Sequence, residues 1–488
     1  MARYDLVLRG GSVIDGTGAP AITADVAIVG DRIVAVEGLP PASGAAEVDV
    51  DGLAVAPGFI DVHTHDDRAL LSRGDMAPKA SQGVTTVVVG NCGVSLAPML
   101  AGRPLPPPLD LIGDAEHFRF RRFGDYLAAL DQAPAAANAA SLIGHSTLRA
   151  CVMDRLDRPA SESEIAAMRE HLAEALEAGA IGLSSGLAYA PARAAPEAEV
   201  VALAQTLRDA GAIYTTHMRD EGDHVLDSLE ESFAVGRAAG IPVVISHHKV
   251  LGTQNFGRTR ETLPRIAAAM AEQPLALDAY PYIASSTVLL AENIPRAAKI
   301  LITWSKPHPK ASGRTLADIA RDWGASEAEA AARLQPAGAI YFMMSEEDVR
   351  RVLAFPHTMI GSDGLPHDRH PHPRLWGTFA RLLGHYCRDA KLFPLEEAVR
   401  RMTGLPAARF GLSGRGHVVP GAYADITVFD PATIIDRASF EAPTTPAAGI
   451  HLVLVNGVAV WSDGAATGAR PGRALRRQRL RQETGGTA

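Results

Sequence analysis

The run "GFIDVHTHDD", residues 58–67, sets His63 and His65 two positions apart beside Asp61, Asp66 and Asp67. On an extended strand such a pair shares one face, and Ile60, Val62 and Thr64 take the other. Two imidazoles on one face either clamp a metal or serve as buried, hydrogen-bonded side chains. The pair alone does not decide between these.

Similar residues punctuate the rest of the chain. Asn91 and Cys92 follow the apolar run "VTTVVVG", and His145 closes "ASLIGH". His217 closes "AIYTTH", His247 and His248 close "PVVISHH", and Asp363 follows "TMIG". Histidines scattered as core residues would not favour the ends of apolar runs so consistently, which favours the metal reading. Imidazole and thiolate with one carboxylate suit zinc better than magnesium or calcium, which prefer oxygen. Cys92 lies in "GNCG", where glycines let the backbone bend. Cys151 and Cys387 occupy no such position and read as small buried hydrophobes.

The elements that must position these residues follow from periodicity. Residues 4–56 alternate as short strands with Gly and Asp turns, and residues 421–430 and 449–461 repeat that style near the other end. Between them, eight near-continuous apolar runs alternate with helical patterns at 161–180, 197–210, 225–239 and 259–272. Eight buried strands separated by helices predict an α/β fold: a (β/α)8 TIM-like barrel whose strand ends converge on one mouth. The expected layout is a small β-sandwich domain from residues 1–56 and 416–472, a catalytic barrel over 57–415, a helical lid insertion at about 284–357, and a tail at 473–488. The connection 93–139 is long and Pro-rich, and the six arginines from Ala469 onward read as a solvated terminus.

Bulk properties exclude other classes. The 488 residues are 47% apolar and 21% charged, ordinary for a globular protein. A net charge of −8 offers no footprint for nucleic acid. Three cysteines argue against a disulfide framework, and no apolar run suits a signal peptide or membrane span. The expectation is a cytoplasmic protein, monomer or small homo-oligomer, with a small-molecule substrate and no nucleic-acid or membrane partner.

"PGFIDVHTH", the later histidines and the "GSDG" aspartate resemble the amidohydrolase superfamily. "GNCG", "SHHK", "SDGLPHDRHPHPR" and "GLSSGLAYAP" closely resemble its N-acyl-D-amino-acid deacylases, from the N-terminal β segment to about residue 472. No strand lysine stands where a carbamylated bridging lysine would be expected in the wider superfamily, and Cys92 takes that place. The resemblance implies that Cys92, His217 and His247 hold the tighter zinc. His63, His65 and Asp363 would form a second, weaker site. Asp363 would be the general base. Lys249, Tyr280 and Arg374 would clamp the substrate carboxylate, with Tyr189 as a fourth member, Ser286 as a further substrate-binding residue, and His145 and His367 as helpers.

The implied activity is zinc-dependent hydrolysis of N-acyl-D-amino acids to a carboxylate and a free D-amino acid. The alternatives are another amidohydrolase acting on cyclic amides or unusual N-acyl compounds, and a non-catalytic scaffold. Lys249 and Arg374 argue against a cyclic amide, which lacks a free carboxylate, and the retained ligand set argues against a scaffold. Side-chain preference turns on Arg296, which follows Asn293 in the insertion. Turned outward, it leaves a pocket of Leu289, Leu290, Tyr341 and Met344 suited to neutral or apolar residues. Turned inward, it would pair with an acidic one. The neutral or apolar preference is the expectation.

Overall fold

Eight short parallel strands build the centre of the computed structural model, which describes residues 3–99 and 105–477. In chain order they are β1 (Phe59–Asp61), β2 (Val84–Val89), β3 (Asn138–Gly144), β4 (Gly182–Gly186), β5 (Ile213–His217), β6 (Val243–Ile245), β7 (Leu275–Ala279) and β8 (Thr358–Ile360). Each pairs in parallel with the next, and each corresponds to one apolar run of the sequence. The first and last meet beyond their regular ends. Val62 N–H reaches Ile360 O at 3.4 Å, Asp363 N–H donates to His63 O at 2.7 Å, and Thr64 bridges Gly364.

Alternation along the strands divides two cores. Ile60, Val62, Val88, Leu142, Ile213, Val244 and Met359 join in one interior cluster, which Leu405, Phe410 and Leu412 close from below. The alternate residues, such as Val87, Val89, Leu183, Tyr214, Ile245 and Leu277, face the outer helices. Burying each aliphatic side chain contributes on the order of 1.5–3 kcal/mol, so the barrel floor is rigid. The helices lie where helical periodicity placed them, at Glu162–Ala178, Glu197–Arg208, Val225–Ala239 and Thr259–Glu272. The first carries a reciprocal cap between Ser161 and Glu164 and ends at Gly179 in the left-handed region.

Both chain ends contribute to a second, mixed sheet of nine strands. Ala54–Pro57 pairs antiparallel with Ile426–Phe429, joining N-terminal strands to C-terminal ones. Its core likewise draws on both ends: Leu8, Val26, Ile33 and Val55 pack with Ile426, Val428 and Leu454. Ala474–Leu475 pairs with β3, so the start of the tail is part of the barrel's edge. Residues 478–488 of the expected tail and 100–104 of the Pro-rich connection lie outside the described residues.

The insertion after β7 contains the expected helices, Leu316–Asp322 and Glu327–Leu334, and also a three-stranded antiparallel sheet. Its strands are Ala284–Val288, Lys299–Ser305 and, centrally, Ala337–Phe342. Leu289, Ile302, Leu316, Ile319, Leu334 and Tyr341 share a separate core there. Among the described residues, no helix is long and apolar enough to cross a membrane.

Candidate metal centre

His63 and His65 reach the mouth by a route that strict alternation does not give. Ile60 and Val62 already face the barrel interior, so a continued strand would turn both histidines outward. Regular strand structure instead stops at Asp61, and the chain bends at His63. The Asp61 carboxylate holds that bend, accepting from His63 N–H at 3.4 Å and from Ser362 N–H at 2.7 Å.

Cys92 follows β2 in the left-handed region, at φ 54°. Its neighbours explain the glycines. A Cβ on Gly90 would lie 2.1 Å from Leu142 O, and one on Gly93 would lie 2.8 Å from Gly186 N. His247 (φ 37°) and Asp363 (φ 51°) share the unusual conformation. Non-glycine residues in this region are strained, and such strain concentrates where geometry serves function.

Ligand-type atoms converge in two overlapping sets. His63, His65, Cys92 and Asp363 form one, and Cys92, His217 and His247 the other, with each set's donor atoms within 4.8 Å of one another. Cys92 Sγ lies 3.2 Å from His63 Nε2 and 3.3 Å from His247 Nε2. His247 Nε2 lies 2.9 Å from His217 Nδ1, and His65 Nε2 lies 3.2 Å from Asp363 Oδ1. All but the half-buried His217 are buried. Two imidazole nitrogens and a sulphur facing one another at these distances fit a cation between them. The soft N,S set suits zinc, and Cys92 is the one residue common to both sets.

Charge follows the same arrangement. Burial alone would raise the Cys92 thiol, but the His63 and His247 imidazoles hold it well below its ordinary value, as a thiolate. Burial opposes ionisation of Asp363 too, yet Arg374, His65, His63 and His247 hold its carboxyl well below the usual range.

The expected carboxylate binders form one cluster with two different exposures. Arg374 is fully buried, with Nη1 2.9 Å from Asp363 Oδ2 and Nη2 donating to Ser286 O at 3.0 Å. The first contact is close but poorly aligned, so Nη1 makes an ion pair without a directed hydrogen bond. Tyr280 stacks between cations, its ring centre 4.6 Å from the Arg374 guanidinium and 5.8 Å from Lys249 Nζ. Lys249, Ser286 and Tyr189 line a cavity of about 510 Å³ with His65, Cys92, His217, His247 and Asp363, whereas Tyr280 and Arg374 lie outside that lining. The Ser286 hydroxyl is buried without a partner, and Tyr189 OH bonds Thr287 Oγ1 at 2.9 Å.

Other expected residues lie elsewhere. His145 Nε2 bonds Glu199 Oε1 at 3.0 Å, and Glu199 in turn pairs with Arg149, a buried group outside the cavity lining. His367 is also outside that lining, and burial together with Arg68 and Arg73 pushes its imidazole down to about 3. In the insertion, Leu290, Asn293 and Arg296 line the cavity, with Met343 and Leu365. Leu289 and Tyr341 instead belong to the insertion's own core, because Tyr341 OH is tied to Val288 O and Leu290 N. Met344 turns its sulphur to Tyr280 OH, 3.8 Å away. The Arg296 head packs on Gly222, where its Nη2 occupies the space a Cβ would take, and it acts electrostatically on Asp223.

Three supporting residues escaped the sequence reading. Glu221 is buried against Lys249, His247 and His217. Lys79 is buried with Asp61 and Ser362, each at 2.8 Å. Asp278 accepts from His247 N–H at 2.9 Å. For Glu221 a signal existed: it stands four residues after the strand-end His217.

The amidohydrolase family pattern matches residues 46–279 and 311–461. The chain is 58% identical over 474 residues to the D-aminoacylase of Alcaligenes xylosoxydans xylosoxydans, covering 97% of this chain and 98% of that protein. A solved D-aminoacylase, described by a binuclear metal centre with one-metal activation and second-metal attenuation, superposes with a TM-score of 0.95 at 58% identity, covering 97% of this chain and all of that one. The N-acyl-D-glutamate deacylase of Bordetella bronchiseptica, solved with zinc and a phosphonate that mimics the tetrahedral intermediate, gives 0.94 at 47% identity, with 97% and 100% covered.

Proposed function

Since the chain belongs to the amidohydrolase family, within its group of N-acyl-D-amino-acid deacylases, we propose that it hydrolyses N-acyl-D-amino acids to a carboxylate and a free D-amino acid with zinc. The observation that carries this reading is the pair of overlapping donor sets that share Cys92 and include Asp363. Cys92, His217 and His247 would hold the tight zinc, and His63, His65 and Asp363 a second, weaker one. Zinc supplies Lewis-acid polarisation of the scissile carbonyl and a more acidic water.

The chain's own residues do the rest. Asp363, kept ionised by Arg374 and its histidine neighbours, accepts the proton of the attacking water and passes it to the leaving nitrogen. Arg374, fixed by Ser286 O, orients that carboxylate. Lys249, Ser286, Tyr189 and Tyr280, with Arg374 behind them, set the electrostatics for a substrate carboxylate at this end of the cavity. Val94, Leu111, Leu290 and Leu365 give one wall of the cavity an apolar face that suits a neutral or apolar side chain. The D configuration is carried by the activities of the relatives. The protein would act in the cytoplasm, as a monomer or small homo-oligomer, without nucleic-acid or membrane partners.

Metal analysis of Cys92→Ala and His217→Ala tests this reading. Both variants should lose bound zinc and nearly all amide hydrolysis, because no neighbour replaces a thiolate or imidazole in that geometry. Full zinc and wild-type turnover in Cys92→Ala would remove the cysteine from the site.

A further inference from the structure

Both histidines of the proposed tight site turn their outer nitrogens toward one side chain, Glu221. His247 uses Nε2 toward Cys92 and His217, and its Nδ1 lies 3.0 Å from Glu221 Oε1. His217 uses Nδ1 toward His247, and its Nε2 lies 3.6 Å from Glu221 Oε2. The carboxylate is buried and held from a third direction by Lys249 Nζ, at 2.9 and 2.8 Å from its two oxygens. Its own backbone is fixed as well, because Glu221 O accepts from Leu251 N–H at 2.7 Å.

A metal at His247 Nε2 requires the proton on Nδ1, so Nδ1 donates to Glu221. Lys249 Nζ also lies 2.8 Å from that nitrogen, but a nitrogen that donates cannot accept from an ammonium. The Lys249 protons therefore serve Glu221 and His247 O, which lies 3.0 Å away. At His217 a metal at Nδ1 leaves the proton on Nε2, which faces the other carboxylate oxygen at 3.6 Å, beyond hydrogen-bond reach, so Glu221 acts there through its charge.

We propose that Glu221 is the positioning residue of the tight zinc site, selecting the metal-binding tautomer of His247 by a hydrogen bond and favouring that of His217 by its charge. This rests on the assignment of those histidines to zinc. A carboxylate behind a ligating imidazole fixes its ring and raises its basicity, and losing such a partner typically weakens metal binding by about 10–100-fold. Glu221 also divides Lys249 from its expected role as a free clamp. The ammonium is anchored from behind and offers the substrate only what remains of its donor capacity.

The test is competition for zinc between the purified protein and a chelator, read for wild type, Glu221→Gln, Glu221→Asp and Lys249→Met, with circular-dichroism melting of each. Glu221→Gln places an amide donor against one of the two imidazole donors, and should weaken zinc by about 10–100-fold while the melt stays cooperative. Glu221→Asp keeps the charge but retreats by one methylene, and should fall between that variant and wild type. It supplies the reading if Glu221→Gln does not fold. Lys249→Met should shift zinc affinity far less than Glu221→Gln. Wild-type zinc affinity in Glu221→Gln, or equal losses in Glu221→Gln and Lys249→Met, would overturn the proposal and leave Glu221 as the lysine's counter-ion. A wild-type protein that binds no zinc would instead defeat the assignment of the metal site itself.

Discussion

Asp363 meets His63 through both backbone and side chain. Its N–H donates to His63 O at 2.7 Å, closing the barrel between β1 and β8, and its Oδ1 lies 3.6 Å from His63 Nε2. The bond that seals the barrel thus also sets the proposed base against a proposed ligand. A carboxylate placed by backbone closure should tolerate loss of its charge without loss of the fold. Asp363→Asn is expected to keep a cooperative melt and the tight zinc, with a lowered midpoint because the buried Arg374 loses its counter-ion, while kcat falls by roughly 10² to 10⁴, the usual cost of losing a general base. More than about a tenth of the wild-type kcat would remove Asp363 from that role.

In the proposed mechanism Arg374 supports both substrate carboxylate and base from behind the cavity wall, since its guanidinium contacts Asp363 and stacks on Tyr280. Arg374→Met should therefore raise KM for N-acyl-D-amino acids and also lower kcat. On an N-acyl amine without a carboxylate, the kcat loss should persist while the KM effect disappears. Equal KM effects on both substrates would show that the arginine does not recognise the carboxylate.

Much of this site was legible because barrel strands announce themselves as apolar runs, and polar residues at their ends break the pattern. His63, Cys92, His217, His247 and Asp363 were visible for that reason. Glu221 and Lys79 were not, since a lone charged residue in a loop or short helix reads as solvated until the fold buries it. The path of His63 was also hidden: the bend after Asp61 depends on a carboxylate accepting from Ser362, 301 residues away. The sheet in the insertion was missed because strands as short as "ASSTV" and "AGAIYF" carry too few alternations to stand out between helical segments.

His145 has a structural partner that makes a pH prediction. Burial alone would raise Glu199, but hydrogen bonding to His145 and Arg149 brings its carboxyl down from 4.5 to about 2. A depressed carboxylate stabilises the fold above its unfolded value, and that contribution is lost as pH falls from about 4.5 toward 2. Urea melts across this range should show wild-type stability declining more steeply than that of Glu199→Gln. At neutral pH the variant should already be weaker by about 3–5 kcal/mol, the usual result of leaving a buried charge such as Arg149 without its partner. Parallel acid profiles for the two proteins would contradict the assignment.

Side-chain preference follows from where Arg296 spends its charge. Arg296 lines the cavity, but its head packs on Gly222 near Asp223, while Leu290, Leu365 and Met343 present apolar surface beside it. N-acetyl-D-methionine should exceed N-acetyl-D-glutamate in kcat/KM, and Arg296→Ala should change the ratio little. A tenfold advantage for glutamate (about 1.4 kcal/mol) that disappears in Arg296→Ala would assign the arginine to substrate instead.

The most direct measurement is amine release by the purified protein from paired N-acetyl-D- and N-acetyl-L-amino acids, before and after zinc is stripped and restored. The account predicts turnover of the D substrates, loss on chelation, and recovery when zinc is returned to about one equivalent. Equal turnover of the L substrates, or activity that survives complete removal of metal, would contradict it.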